Sequence, residues 1–278
     1  MGIIAPRGGT DGAVIDLYVF SQDELASEAA ALGVDAVIVD LERHDKERRQ
    51  GGADTDISTQ TVRDLGDTRL RTDLPIICRI DAVGEQSATQ IDQVIEAGTD
   101  EILIPMVRHP VEVEWVLGYV DGHVAVGVMV ETVDAVANAA ELSTLPISRA
   151  YVGLNDLWIE RRSNHRFSAF TDGTLDHLAG IFESLPFGVA GLTHPELGRP
   201  LPCFHLINEL VRLGCDFTFL RRSFFHAIKH QPAPDVVAAI RAADARAGGR
   251  TADVVESDRR AAWRAIDSLT IERLDMTA

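Results

Sequence analysis

The sequence is poor in cysteine. Its 278 residues include three cysteines, Cys78, Cys203 and Cys215, all in apolar sequence contexts and without the spacing of a metal site. Such a sparse, odd set excludes a disulfide framework and predicts buried, reduced thiols in a cytoplasmic protein. A chain of this length can bury a core large enough to fold without covalent cross-links.

Long apolar runs and basic charge are also scarce. No apolar stretch reaches the roughly 18 residues that a membrane-spanning helix needs, and the N-terminus lacks the basic-then-apolar pattern of a signal peptide. Asp and Glu number 43 against 26 Lys and Arg, a formal net charge of −17. Because this charge repels phosphate backbones and anionic lipid, we expect neither nucleic acid nor membrane among the partners.

The sequence does have a regular alternation of short apolar segments with longer amphipathic ones. Several apolar segments lack polar positions on either face, as parallel strands covered by helices do. The predicted strands are residues 14–20, 36–40, 76–80, 102–105, 124–130, 150–153, 188–192 and 217–220. The predicted helices between and after them are residues 22–32, 60–68, 87–97, 111–119, 133–142, 172–184 and 202–213. Eight βα units in about 230 residues predict an α/β fold of the (β/α)8 TIM-barrel type, with a doubly wound open sheet as the alternative.

Two regions fall outside this alternation. Residues 43–58 form a polar, glycine-containing segment after the second strand, which is long for such a connection and is interpreted as a lid or as a solvated insertion. Residues 232–278 contain two further helical patterns, at 235–246 and 257–269. We therefore predict a barrel domain over residues 1–231 and a C-terminal helical extension over 232–278 that packs on the barrel or reaches a neighbouring subunit.

Two apolar runs end in a carboxylate, Glu131 in the first and Asp156 in the second. In a barrel, the C-terminal ends of the strands converge on one face. Two carboxylates brought together there repel each other unless a cation lies between them, and oxygen ligands suit Mg²⁺ or Mn²⁺. The sequence thus predicts a divalent-metal site, while a helix-capping role for Asp156 is the structural alternative.

Other polar residues lie at or just after the C-terminal ends of predicted strands, namely Asp40, Glu42, Arg79 and Asn155. One cation among several carboxylates, without a Ser-His-Asp set or a glycine-rich phosphate loop, suits stabilisation of an enolate. A metal and an arginine can both hold an oxygen that becomes negative in the transition state.

Five sequence segments, taken in their order along the chain, resemble those of a known enzyme family. They are residues 33–42 (GVDAVIVDLE), 77–80 (ICRI), 98–107 (GTDEILIPMV), 130–138 (VETVDAVAN) and 152–157 (VGLNDL). Together, over residues 13–225, the chain resembles the HpcH/HpaI aldolase and citrate lyase β-subunit family. The resemblance implies a (β/α)8 barrel of the phosphoenolpyruvate/pyruvate type and a homo-oligomer, a trimer or hexamer, often with an exchanged last helix. It also implies carbon–carbon bond chemistry through a pyruvate or acyl-CoA enolate on Mg²⁺, Mn²⁺ or another divalent metal.

The resemblance also implies individual roles. Glu131 and Asp156 correspond to the metal ligands, and Arg79 holds the enolate oxygen. Glu42 orients metal-bound water, and Asp40 supports the acid/base region. Backbone amides receive the substrate carboxylate, and they belong to Gly153, Asn155 and Asp156.

The chain departs from the family after Glu42. Where the pyruvate aldolases have a histidine that serves as base, this sequence has Arg43, with the histidine one place later at His44. Either the loop brings His44 to the site, or another group is the base, or Arg43 is a second cation that binds an anionic substrate. We expect Arg43 in the pocket because it holds the family's functional position, and His194, after the seventh strand, is expected to line it.

The sequence is therefore interpreted as a cytoplasmic, divalent-metal-dependent aldolase that acts on a 2-oxo acid or hydroxy acid. One alternative is a citrate-lyase-like enzyme that cleaves an acyl-CoA. The other is a degenerate barrel that binds an anion without turnover, suggested by Arg43.

Overall fold

A computed structural model describes residues 15–22, 25–43 and 58–269, with the side chains of residues 26 and 27 excepted. Eight parallel strands form a closed barrel in sequence order, and β1 pairs with β8. The strands are β1 (Asp16–Phe20), β2 (Ala36–Asp40), β3 (Ile76–Arg79), β4 (Glu101–Ile104), β5 (Ala125–Val130), β6 (Arg149–Val152), β7 (Phe187–Gly191) and β8 (Phe217–Leu220). The prediction of a TIM barrel is confirmed, and closure between β1 and β8 excludes the open sheet.

Helices surround the barrel. In the described part of the chain they are Leu25–Glu28, Val62–Arg69, Ser87–Glu96, Pro110–Val120, Val133–Ala137, Ala139–Leu142, Leu154–Arg161, Ser168–Thr171, Thr174–Ile181, Cys203–Arg212, Arg222–Ile228, Ala233–Gly248 and Ala252–Asp267. The helix predicted over 133–142 is interrupted at Asn138, whose φ of −95° and ψ of 7° are not helical. The described part of the segment predicted over 22–32 is helical only at Leu25–Glu28 and turns at Gly33, where φ is 76°.

Aromatic and aliphatic side chains fill the barrel interior. Tyr151 stacks on Phe219 with ring centroids 3.7 Å apart, and Tyr18 stacks on Phe217 at 5.1 Å. Near the N-terminal ends of the strands, Arg149 is 2.7 Å from Glu101 in a fully buried ion pair and donates a hydrogen bond to the Tyr18 hydroxyl. This end of the barrel is therefore packed with side chains, and the candidate site residues lie at the opposite end.

The C-terminal helices pack on the chain's own barrel. Ala233–Gly248 buries Val236 and Ile240, and its Asp244 accepts a hydrogen bond of 3.1 Å from the backbone N–H of Ile15. Ala252–Asp267 packs against Cys203–Arg212. The predicted homo-oligomer stays a prediction.

The cysteines and the helices bear on two predictions made from composition. Cys78, Cys203 and Cys215 are all free and buried, as predicted. Among the helices described here, none is long and apolar enough to cross a membrane.

Candidate active site

A buried arginine–carboxylate pair joins β2 and β3 at their C-terminal ends. Asp40 and Arg79 are register partners in the sheet, and Arg79 grips the carboxylate with two hydrogen bonds, Nε to Oδ1 at 2.9 Å and Nη2 to Oδ2 at 2.5 Å. Burial alone would lower the pKa of Arg79, but the charges of Asp40 and Glu42 outweigh it and raise that pKa above its ordinary value. Arg79 is therefore a permanent cation with a fixed orientation.

The remaining edge of the Arg79 guanidinium faces the middle of the barrel mouth. Its Nη1 lies 3.4 Å from Oε2 of Glu42 and donates to the sulfur of Met129 on β5 at 3.7 Å. Both contacts are longer than those to Asp40. Nη1 is therefore the least tightly bound of the three guanidinium nitrogens.

Glu131 follows β5, where it accepts a hydrogen bond from Met106 and packs closely against Gly153. Its Oε1 accepts a 2.9 Å hydrogen bond from the backbone N–H of Met106, a residue with a left-handed φ of 53°. A Cβ at Gly153 would lie 2.1 Å from Oε2 of Glu131, so only glycine fits there. The left-handed φ of Met106 is strained for a non-glycine residue. Such strain persists only where the surrounding structure requires it, often at functional sites.

The carboxylates at this end of the barrel repel one another. The pKa of Glu131 is raised to about 8, first by burial, then by Asp156 and then by Glu42, while Arg79 opposes the shift. Asp156 is itself buried, in the first turn of helix Leu154–Arg161. A divalent cation would relieve this repulsion.

The donor set fits such a cation. Glu131 and Asp156 would offer hard oxygen ligands, and Mg²⁺ commonly uses one or two carboxylates and leaves its other positions to water and substrate. Among the described residues no group of three or more His, Cys, Asp or Glu side chains is arranged to hold a metal.

The close contact at Gly153 gives a direct test of this arrangement. In Gly153→Ala we expect divalent-metal affinity and turnover to fall by about 10- to 100-fold, the usual cost of displacing a ligand's support. Gly118→Ala is the matched control, because Gly118 lies in a helix and an added Cβ there meets nothing within 4 Å. Calorimetric titration with Mg²⁺ or Mn²⁺ would measure both variants, and equal affinities would contradict the assignment of Glu131.

Gln60 is a site residue that sequence reasoning missed. Its Oε1 accepts a 2.9 Å hydrogen bond from the backbone N–H of Asp40, and its Nε2 donates to the carbonyl of Ser21 at 3.0 Å. The side chain thus connects the ends of β1 and β2. Gln60 was assigned only to the start of a helix, and the sequence near it contains no signal for a contact with Asp40.

Arg43 is exposed and lies three residues after the end of β2. Its backbone N–H donates to Oδ1 of Asp81 at 2.7 Å. The exposed guanidinium donates to the carbonyl of Gln60 at 2.6 Å and to that of Thr59. In this structure the Arg43 side chain therefore fastens the segment that carries Gln60.

Three other residues were predicted to belong to the site, namely His44, His194 and Asn155. His44 lies outside the described residues. His194 is half-buried in the loop after β7, and its Nδ1 accepts a 3.3 Å hydrogen bond from the backbone N–H of Glu196. Asn155 is half-buried beside Asp156 in the first turn of its helix. The structure thus brings together Asp40, Glu42, Arg79, Glu131, Gly153 and Asp156.

A cavity of about 640 Å³ adjoins Asp40 on the side of β1 and β8. Arg221, after β8, forms part of its wall, with Nη2 3.5 Å from Oδ2 of Asp40 and the guanidinium 4.8 Å from the Phe20 ring centre. Asp40 therefore lies between two arginines, Arg79 towards Glu131 and Arg221 towards the cavity.

No family model and no curated protein matches this chain. Solved structures do match in fold. RipC from Yersinia pestis has a TM-score of 0.56 and 12% identity, covering 88% of this chain and 100% of that one. An HpcH/HpaI aldolase from Desulfitobacterium hafniense DCB-2 has a TM-score of 0.57 and 12% identity, with 81% and 92% covered. Citrate synthase SbnG has a TM-score of 0.58 and 16% identity, with 81% and 92% covered. These neighbours include a protein named for the family that the sequence resembles.

Proposed function

We propose that the protein is a divalent-metal-dependent carbon–carbon lyase, an aldolase that acts on a 2-oxo acid through its enolate. The observation that carries the proposal is the buried Glu131 carboxylate, which accepts a hydrogen bond from the backbone N–H of Met106 and whose pKa is raised by burial and by the charge of Asp156. The aldolase and citrate synthase among the structural neighbours support the same class of chemistry.

Each residue has a role in this proposal. Glu131 and Asp156 would hold Mg²⁺ or Mn²⁺, which when bound supplies Lewis-acid stabilisation of negative oxygen. Backbone amides in the first turn of helix Leu154–Arg161, next to Gly153, bind the substrate carboxylate at the positive end of the helix dipole. Nη1 of Arg79 binds the keto oxygen as it gains charge, while Asp40 keeps the guanidinium in place.

Proton transfer is assigned to a histidine. His44 remains the first candidate and His194 the second. Because the guanidinium of Arg43 bonds to the carbonyls of Thr59 and Gln60, we assign Arg43 to holding that segment instead of gripping the substrate.

Exchange of the pyruvate methyl protons with deuterium tests the proposal without knowledge of the second substrate. With Mg²⁺ or Mn²⁺, we expect NMR to show loss of the methyl signal, because enolate formation is reversible and solvent supplies the deuteron. Excess chelator should stop the exchange, and added metal should restore it. Exchange that continues in chelator would contradict metal dependence, and no exchange with any divalent metal would contradict the enolate.

The acyl-CoA alternative is supported by the citrate lyase branch of the family that the sequence resembles and by the neighbour named citrate synthase. An anion-binding barrel without turnover would not need Glu131 and Asp156 buried together against mutual repulsion. We therefore favour the aldolase.

A further inference from the structure

We propose that Glu160 is a positioning residue, which fixes the helix that carries Asp156 against the two chain segments that hold Glu131. The inference rests on the proposed function for the identity of these two metal ligands. It goes beyond that function because Glu160 is assigned no contact with metal or substrate and acts only through its bonds to other segments.

Glu160 occupies an unfavourable place in its own helix. It lies in the last turn of helix Leu154–Arg161, four residues after Asp156, and residues four apart lie on the same side of a helix. The negative end of the helix dipole disfavours an acidic side chain in this turn. The carboxylate of Glu160 is therefore stabilised by contacts outside its own helix.

The first of these contacts is with the segment that follows Glu131. Oε2 of Glu160 accepts a 3.0 Å hydrogen bond from the backbone N–H of Val133, which is the first residue of helix Val133–Ala137. The first N–H groups of a helix have no partner within that helix, so Glu160 supplies the acceptor from a different element. This bond connects the segment of Glu131 to the helix of Asp156.

The second contact is with the segment that follows β4. Oε1 of Glu160 accepts a 2.7 Å hydrogen bond from Nη1 of Arg108. Arg108 lies two residues after Met106, whose backbone N–H binds Glu131. The same Nη1 also donates to Asp134 at 2.8 Å, so one nitrogen serves both carboxylates and a lysine could do the same. Glu160 thus binds both segments that hold Glu131 in place.

The segments after β4 and β5 are also joined to each other without Glu160. The hydroxyl of Thr132 donates a 2.6 Å hydrogen bond to the carbonyl of Val107, and both residues are buried. Glu160 attaches the helix that follows β6 to this pair of segments. Its loss should therefore alter the placement of Asp156 relative to Glu131 more than the stability of the fold, since partly exposed ion pairs contribute little to stability.

Val133→Pro tests the first contact, because it removes the N–H donor and leaves Glu160 unchanged. Proline is favoured at the first position of a helix, and Thr132 already has the extended backbone that a residue before proline prefers, with φ −118° and ψ 156°. In calorimetric titration of the full chain, we expect the Kd for Mg²⁺ or Mn²⁺ to rise about 10-fold, while Tm does not fall. Val133→Ala keeps the N–H and should retain the wild-type Kd.

Glu160→Ala tests both contacts together. We expect the Kd to rise by about 10- to 100-fold, and Glu160→Gln, which keeps an acceptor for Val133, should recover most of this affinity. Glu256→Ala is the matched control, because Glu256 also pairs with two arginines, Arg259 and Arg260, on the C-terminal helix. A wild-type Kd in both Glu160→Ala and Val133→Pro would overturn the proposal.

Amide hydrogen exchange in the metal-free protein tests the positioning role separately. The N–H of Met106 is bonded to Glu131, so its exchange rate reports whether Glu131 keeps its place. We expect this N–H to exchange several-fold faster in Glu160→Ala and Val133→Pro, with strand Ala125–Val130 unchanged. A wild-type rate at Met106 in both variants would overturn the positioning role, whereas absence of metal binding by the wild-type protein would overturn the proposed function.

Discussion

Glu131→Gln is expected to abolish detectable Mg²⁺ or Mn²⁺ binding and to lower turnover by at least about three orders of magnitude while the fold survives. The amide keeps the shape of the side chain and can still accept the hydrogen bond from Met106. It cannot supply the negative charge that a hard cation requires. Calorimetric titration and steady-state kinetics would measure both effects.

The same variant should be more stable than the wild-type protein in chelator. The pKa of Glu131 is raised from its ordinary 4.5 to about 8 by burial, by Asp156 and by Glu42, so the folded state favours the protonated form. The free energy of unfolding of the wild-type protein therefore falls as pH rises from the ordinary pKa of 4.5 towards about 8, because the buried carboxylate must ionise. Glutamine stays neutral, so the variant does not lose this stability. The stability advantage of Glu131→Gln should grow from pH 6 to pH 8, as thermal unfolding would show.

Glu114→Gln is the matched control, because Glu114 is exposed on helix Pro110–Val120. It should change neither metal affinity nor the pH dependence of stability. Metal binding and turnover at wild-type levels in Glu131→Gln would eliminate Glu131 as a ligand, and the proposed mechanism with it.

Arg79→Lys is expected to lower kcat by about 100- to 1,000-fold, the usual cost of losing a donor to a developing oxyanion. Lysine keeps the charge that Asp40 and Glu42 require, but its single nitrogen cannot replace both bonds to Asp40 and also bind the substrate. Metal affinity should change little, because Arg79 is not a ligand. An uncharged replacement is a poorer test, since it would leave two buried carboxylates without their partner.

The readout for Arg79→Lys is the division of the effect between kcat and KM. A transition-state contact lowers kcat and kcat/KM together, whereas a contact that only binds substrate raises KM alone. Arg108→Lys is the control, since Arg108 also pairs with two carboxylates, those of Asp134 and Glu160. If both variants retain wild-type kcat, Arg79 has no role in stabilising the enolate.

The sequence by itself determined the barrel. Strand and helix patterns are local, because side-chain alternation and helical periodicity depend on neighbours a few residues apart. The positions of Asp40, Arg79 and Glu131 at strand ends followed from the same patterns, since all parallel strands of a barrel end on one face.

Only the tertiary structure decided how these residues are held. Gln60 bonds to Asp40 from 20 residues away and Arg221 from 181, and no local pattern encodes either contact. The need for glycine at position 153 depends on a tertiary contact, since Glu131 occupies the space that a Cβ there would fill. Arg43 shows the same limit, because no local pattern encodes the bonds from its guanidinium to the carbonyls of Thr59 and Gln60.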